Sequence, residues 1–290
     1  MTVNTLIILA AGMSSRMKAS ADTAGLDAAD IKQADTLTKG LIPVGETGRP
    51  LLDFIFDNAI AAGLTNIILI TGFDNAVFKS RYGNKKRSNN YGKIVVSYAV
   101  QRIPSGRSKP LGTADAVLQA LQQYPELQTS EFLVCNCDNL YSAKAFRALA
   151  ETPHPHAFIA YNRMGLQFSS EKIARFALCI LDERDFLTQI VEKPDPALLP
   201  DYQDRHGVIR VSMNIFKFSG NPFLHHLEKC PVSTGRNEKE LAAAITGLIE
   251  AHPCTMIGIP FNEHVPDLTE KSDIVVFRNY LRKASSDTSD

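Results

Sequence analysis

Apolar and polar positions along the chain switch repeatedly between two rhythms. Short continuous apolar runs alternate with stretches in which apolar residues recur every three to four positions, a pattern that predicts strands alternating with helices around a mostly parallel sheet. Residues 5–9 (TLIIL) read as a first strand buried on both faces. Residues 51–62 read as a helix with Leu52, Ile55, Phe56, Ala59 and Ile60 on one face and Gly63 as its stop. Strands follow at 66–71 (NIILIT) and 94–100. A helix over 113–122 turns Ala114, Val117, Leu118 and Leu121 inward, and a strand over 131–137 (EFLVCNC) delivers Asp138 at its C-terminal end.

The second half is less regular. Strands are predicted at 157–161, 176–181, 189–192 and 210–218, and helices at 238–250 and 272–283. No internal repeat is present. Residues 19–38, rich in Ala and Asp, form an insertion compatible with a short helix, either a lid or a surface excursion. The basic, Gly- and Asn-rich residues 79–92 read as a solvated loop, and 284–290 as a disordered tail.

Composition narrows the function classes. The 290 residues carry 31 Lys plus Arg against 31 Asp plus Glu, a balance without the basic field of a nucleic-acid or anionic-membrane binder. No apolar run approaches a membrane span or a secretory leader. Five scattered cysteines (Cys135, Cys137, Cys179, Cys230, Cys254) show neither zinc spacing nor a disulfide framework, which places the protein in the cytoplasm.

Three short segments carry candidate chemistry. After the first strand comes Leu9-Ala10-Ala11-Gly12-Met13-Ser14-Ser15-Arg16, a turn of small residues that lets the backbone approach a phosphate, with a guanidinium placed to meet it. It is neither GxGxxG nor a Walker loop, so a nicotinamide-dependent dehydrogenase is disfavoured. Lys39 stands before a short apolar run. Asp138 stands at the carboxyl end of a central strand, where open α/β sheets bind ligands and where a carboxylate can share Mg²⁺ with substrate phosphates. Each segment alone has a structural reading: a tight turn, a solvated lysine, an aspartate capping the next helix.

In combination they resemble one family. The LAAGMSSRM turn, Lys39-Gly40-Leu41-Ile42-Pro43-Val44, Gly112-Thr113-Ala114-Asp115, Cys137-Asp138-Asn139 and Val191-Glu192-Lys193-Pro194 occur in the order seen in sugar-1-phosphate nucleotidylyltransferases. That resemblance, running from about residue 5 to 217, implies a Rossmann-like three-layer α/β/α nucleotidyltransferase fold with a mixed, mostly parallel central sheet. It implies one domain over 1–283, with a nucleotide-binding half (about 1–150) and a sugar-phosphate half (about 151–283). It also implies Mg²⁺-dependent attack of a sugar 1-phosphate on the α-phosphorus of an NTP.

By the same resemblance, Leu9, Ala10, Ala11, Gly12, Gln101, Gly112 and Thr113 hold the nucleotide, while Arg16, Lys39 and Lys193 serve the reacting phosphates. Asn139, Glu192, Lys193 and Asn214 contact the sugar phosphate, and Asp138 with Asp267 binds the metal. The implied partners are the two small-molecule substrates, not a nucleic acid or a membrane. Members of the family occur as monomers and as several oligomers, so a homo-oligomer stays open.

Two departures stand out. The segment between Arg16 and Lys39 is long for the family, and Ser212 and Asn214 stand where its pattern has Asn and Gly. Gln101 with Gly-Thr-Ala is closest to uridylyl and then thymidylyl enzymes. Alternatives are a CTP-dependent enzyme acting on phosphocholine, whose cationic cage would need Tyr or Phe because tryptophan is absent, and a non-catalytic sugar-nucleotide-binding regulator.

Overall fold

The computed structural model describes residues 3–45, 48–83, 91–192 and 194–286. Nine strands form one sheet: β1 (Thr5–Leu9), β2 (Asn66–Thr71), β3 (Val95–Val100), β4 (Glu131–Asn136), β5 (His156–Asn162), β6 (Leu178–Leu181), β7 (Leu187–Val191), β8 (Arg210–Ser219) and β9 (Met256–Phe261). The helices are α1 (Ser15–Ala19), α2 (Ala28–Thr36), α3 (Leu51–Ala61), α4 (Ala76–Tyr82), α5 (Thr113–Gln123), α6 (Ala143–Glu151), α7 (Ser170–Ile173), α8 (Gly220–Glu228), α9 (Leu241–Ala251) and α10 (Asp273–Ser286).

The strand order is β3-β2-β1-β4-β8-β5-β9, with β6 joined to β8 and β7 to β6. Strands β1 to β4 pair in parallel, β8 runs antiparallel to both β4 and β5, and β9 is parallel to β5. The sheet is therefore mixed, mostly parallel, and continuous through both halves of the chain.

Alternation along the central strands divides the core into two layers. Leu6 and Ile8 of β1, with Leu133 and Cys135 of β4, face α3, α6 and α10. Ile7, Phe132 and Val134 face the opposite way, against α5, α8 and α9. In α3, Leu52, Ile55, Phe56 and Ala59 of the predicted stripe are fully buried, Ile60 is half-buried, and Leu51 joins them.

Several elements depart from the sequence reading, the helices α6 and α8, which it does not contain, among them. β9 was not predicted because Gly258 and Pro260 interrupt its pattern. It survives because it stands at the end of the sheet order, paired along its length with β5 and bridged on its other side at Phe186–Ile257, and an edge strand tolerates the missing N–H of proline. Residues 79–82 of the predicted basic loop belong to α4, whose Phe78 and Tyr82 are buried, while 84–90 lie outside the described residues. α10 continues through Ser286, so the first three residues of the predicted tail are helical, and 287–290 lie outside the described residues.

The insertion is strapped to the C-terminal helix. α2 starts with a capping box in which Asp27 and Asp30 each accept the other's backbone N–H. Arg278 grips Asp30 with two bonds of 2.7 and 2.6 Å. Lys271 pairs with Asp35 at 2.8 Å and donates to the Ser20 carbonyl.

Two histidines, His156 fully buried and His264 half-buried, add a stability prediction. Burial is the main cause that lowers the pKa of His156 to about 4, aided by His226, Lys217 and His252; its Nδ1 has no partner among the described residues. Burial, then Lys172, does the same for His264, whose neutral Nδ1 accepts from the Gln167 N–H at 3.0 Å. The unfolded chain takes up these protons near the ordinary histidine value of about 6.5, whereas the folded chain resists until about 4, so stability is full above that window and falls with pH through it. Thermal unfolding followed between pH 7 and 4.5 should show this loss, with a shallower slope in His156→Phe. An unchanged slope would count against a role for His156.

Candidate functional site

The strand order reverses between β1 and β4, because the chain passes from β1 outward to β2 and β3 and then returns to the other side of β1. Such a switch point opens a crevice beyond the strand ends. The β1 ladder extends one residue to each side, with Ala10 N–H donating to the Ile70 carbonyl at 2.8 Å and Cys137 N–H to that of Leu9 at 3.3 Å. Beyond it, Leu9 to Arg16 form one wall of a cleft of about 370 Å³, with Lys39, Gln101, Gly112, Thr113 and Asp138 around it.

A Cβ added to Gly12 would meet only open space, as expected where the backbone faces room for a ligand. Ser14 is left-handed (φ 56°) and buried, and its Oγ accepts from the Lys39 N–H at 3.3 Å. This bond ties the turn to the lysine that follows the insertion.

Lys39 is buried, and its Nζ lies 2.9 Å from Asp138 Oδ2. Asp267 stands far along the chain from Asp138, 128 positions beyond the neighbouring Asn139, yet both carboxylates share one corner. The 266–268 segment runs alongside 138–140, with Leu140 N–H donating to the Pro266 carbonyl at 3.0 Å and Leu268 N–H to that of Asp138 at 2.8 Å. Asn139 Nδ2 donates to Asp267 Oδ1 at 3.3 Å.

Burial lifts the pKa of Asp138. Lys39 opposes that rise and the nearby Asp267 adds to it, so the net shift is upward. Two hard oxygen donors whose mutual repulsion and burial call for positive charge suit Mg²⁺, which needs one or two carboxylates and takes its other ligands from water and phosphate. Among the described residues no cluster of three or more His, Cys, Asp or Glu forms a metal cage, so the donor set stops at this pair.

On the opposite wall, Gln101 is oriented without ambiguity. Its Nε2 donates to the Gly112 carbonyl and to Asp115 Oδ2, both at 2.9 Å, and both partners can only accept. The amide therefore has only its oxygen to offer a ligand. Gly112 (φ 121°) packs so tightly on the backbone of Lys239 that a Cβ would lie within van der Waals radii of it. Thr113 Oγ1 accepts from Leu241 N–H at 2.9 Å, joining the starts of α5 and α9.

A second cleft of about 720 Å³ adjoins the first and shares Leu9, Arg16, Thr113 and Asn136 with it. Glu192, Asn214, Ser212, Phe158, Phe176 and Phe216 are among its lining residues. Asn214 lies within β8 at φ 58°, beside an irregularity in the β5–β8 register. A glycine in the family pattern at this position has a backbone reason, and asparagine is among the few residues that tolerate the same conformation.

A profile of the family described as "Nucleotidyl transferase" matches residues 34–253, three quarters of the chain. The chain belongs to this family. The glucose-1-phosphate adenylyltransferase of Dechloromonas aromatica is 25% identical over 82% of this chain and 50% of its own length. That of Corynebacterium diphtheriae is 26% identical over 66% of this chain and 44% of its own. The UTP–glucose-1-phosphate uridylyltransferase AglF of Haloferax volcanii is 21% identical, over 73% and 75% respectively. The chain thus spans about half the length of the adenylyltransferases it matches. A crystal structure of UDP-glucose pyrophosphorylase complexed with UDP-glucose superposes with a TM-score of 0.70, covering 97% of this chain and 99% of that one at 14% identity, a likeness of fold.

In this chain, most of the residues expected from sequence gather at the two clefts. Asn139 and Asp267 are exceptions, since neither lines a cleft: Asn139, expected at the sugar phosphate, is buried and donates to Asp267, which lies behind Asp138. Lys193 lies outside the described residues. Of the insertion 19–38, its last residue Thr38 lines the first cleft and the others line neither, while α2 braces α10 through Asp30 and Arg278. Sequence reasoning missed Lys172, whose Nζ lies 3.0 Å from Asp267 Oδ2, because an isolated lysine on a four-residue helix belongs to no motif.

Proposed function

We propose that the protein transfers a nucleotidyl group from an NTP, with UTP the first choice and dTTP the second, to a sugar 1-phosphate, releasing pyrophosphate. The observation that carries this reading is the Lys39–Asp138 pair at the switch point, facing the open Gly12 turn and adjoined by a second cleft of acceptor size. Both reactants are anions, so positioning and charge neutralisation form most of the task. The Gly12 turn offers backbone N–H groups to the triphosphate. Arg16, on the border of the two clefts, suits the departing pyrophosphate, and Lys39 the α-phosphate region.

Asp138 and Asp267 would hold Mg²⁺, which when bound supplies charge neutralisation to the phosphates. The acceptor phosphate oxygen bonds to the α-phosphorus as the bridging oxygen to the β-phosphate leaves with pyrophosphate. Gln101 supports the choice of base: an acceptor oxygen complements the N3–H of uracil or thymine and faces the bare N3 of cytosine unfavourably.

A second reading has one feature in its favour. Phe158, Phe176 and Phe216 with Glu192 line the acceptor cleft, a combination that also suits the trimethylammonium end of phosphocholine, with CTP as donor. Pyrophosphate release with Mg²⁺, each NTP tested against sugar 1-phosphates and phosphocholine, separates the readings. We expect turnover with UTP and a sugar 1-phosphate. A productive CTP–phosphocholine pair selects the second reading, and silence with folded protein favours a binding role.

A further inference from the structure

The carboxylate pair has a second lysine. Lys172 Nζ lies 3.0 Å from Asp267 Oδ2, 3.0 Å from Asp273 Oδ1 and 3.3 Å from the Asp267 carbonyl, so its three donors all have acceptors. The ammonium also sits 4.9 Å from the centre of the Phe168 ring. Asp267 is thereby held from two sides, by Asn139 on Oδ1 and by Lys172 and Thr269 Oγ1 on Oδ2. Asp273 fixes the other end of the cluster by accepting the N–H groups of Thr269 and Glu270, both at 2.7 Å. The result is symmetrical in charge: Lys39 faces Asp138, and Lys172 faces Asp267.

We propose that Lys172 is a positioning residue for the metal-binding carboxylates: it fixes Asp267 opposite Asp138 and, as a resident cation on Oδ2, limits how tightly the pair takes a divalent ion. This rests on the reading of Asp138 and Asp267 as the Mg²⁺ site. The physical argument has two parts. A carboxylate with both oxygens held has its orientation set before any ligand arrives, and groups that orient ligating side chains typically affect metal affinity or activity by about 10- to 100-fold. A cation already within ion-pair distance of the same oxygen also competes electrostatically with a second one. Removing the lysine should therefore move affinity and turnover in opposite directions, an outcome that loss of an ordinary scaffold contact would not produce.

The test is titration of the whole chain with Mn²⁺, followed by the electron paramagnetic resonance of the free ion, for wild type, Lys172→Gln, Lys172→Arg and Asp138→Asn. Thermal unfolding and turnover are measured on the same samples. Lys172→Gln should bind Mn²⁺ about tenfold more tightly because the competing cation is gone, while kcat falls about tenfold as Asp267 loses a group that orients it. Lys172→Arg, which keeps the charge, should stay near wild type in affinity. Unchanged or weaker Mn²⁺ binding in Lys172→Gln, with or without a fall in melting temperature, overturns the proposal and leaves Lys172 a structural anchor for α7. Wild-type protein that binds no Mn²⁺, or binds it equally well as Asp138→Asn, overturns the metal-site reading beneath it instead.

Discussion

Replacing Asp138 with asparagine is expected to lower turnover by about a thousandfold or more while leaving the protein folded. The carboxylate does two things that an amide cannot. It offers anionic oxygen to a divalent cation, a contribution worth several kcal/mol of charge stabilisation on reacting phosphates, and each 1.4 kcal/mol is about tenfold in rate. It also balances Lys39, whose ammonium lies 2.9 Å away and is buried. The fold survives because the asparagine side-chain oxygen can still accept from Lys39, and because removing one charge relieves the repulsion from Asp267 that helps to lift the Asp138 pKa. Steady-state pyrophosphate release and a melting curve on the same sample check both halves of the expectation. A variant with near-wild-type turnover and unchanged metal dependence would remove Asp138 from the chemistry.

How much of this site the sequence discloses depends on how each residue is placed. Gly12, Arg16 and Asp138 follow the ends of buried strands, and Lys39 precedes a short apolar run, so apolar runs in the sequence point directly to them. Asp267 is harder. Its place is set by the pairing of 266–268 against 138–140, a contact across the chain that no local pattern records. Asn139 is read from its neighbours in the motif as a substrate contact, yet the side chain turns inward to Asp267, and strand alternation does not extend past the end of β4 to predict this. Lys172 is found only when the folded chain brings α7 to the start of α10.

The same distinction holds for the fold. The buried parallel strands β1, β2 and β4 and the amphipathic helices α3 and α5 announce themselves through composition and period. α8, which begins Gly-Asn-Pro, and β9, with its glycine and proline, are held by tertiary packing: Phe223 and Leu227 of α8 are fully buried, and β9 pairs along its length with β5. The insertion is legible as a helix former but not as a brace, since Asp30 meets Arg278 across 248 residues of chain.

Gly112→Ala is expected to damage both stability and function, because three demands converge on that residue. Its φ of 121° lies where L side chains are strained, at about 1–3 kcal/mol. The added methyl would also press on the backbone of Lys239, which cannot retreat freely: its N–H donates to the Leu111 carbonyl at 2.6 Å and its own carbonyl accepts from Ala114 N–H at 2.9 Å. Forcing extra volume into such a contact costs a further 1–3 kcal/mol or so, for a total of about 2–6 kcal/mol in denaturant unfolding. The Gly112 carbonyl, finally, accepts from Gln101 Nε2 and from Ala116 N–H, so displacement of the turn disorients the glutamine and the start of α5 together. A displacement of about 1 Å at a positioning residue can reduce turnover by about a hundredfold, and nucleotide binding measured by titration should weaken in parallel. If the variant unfolded at the wild-type midpoint and bound nucleotide normally, the Lys239 segment would have to be able to yield, and the close packing of α5 on the start of α9 would not be what shapes the base side of the cleft.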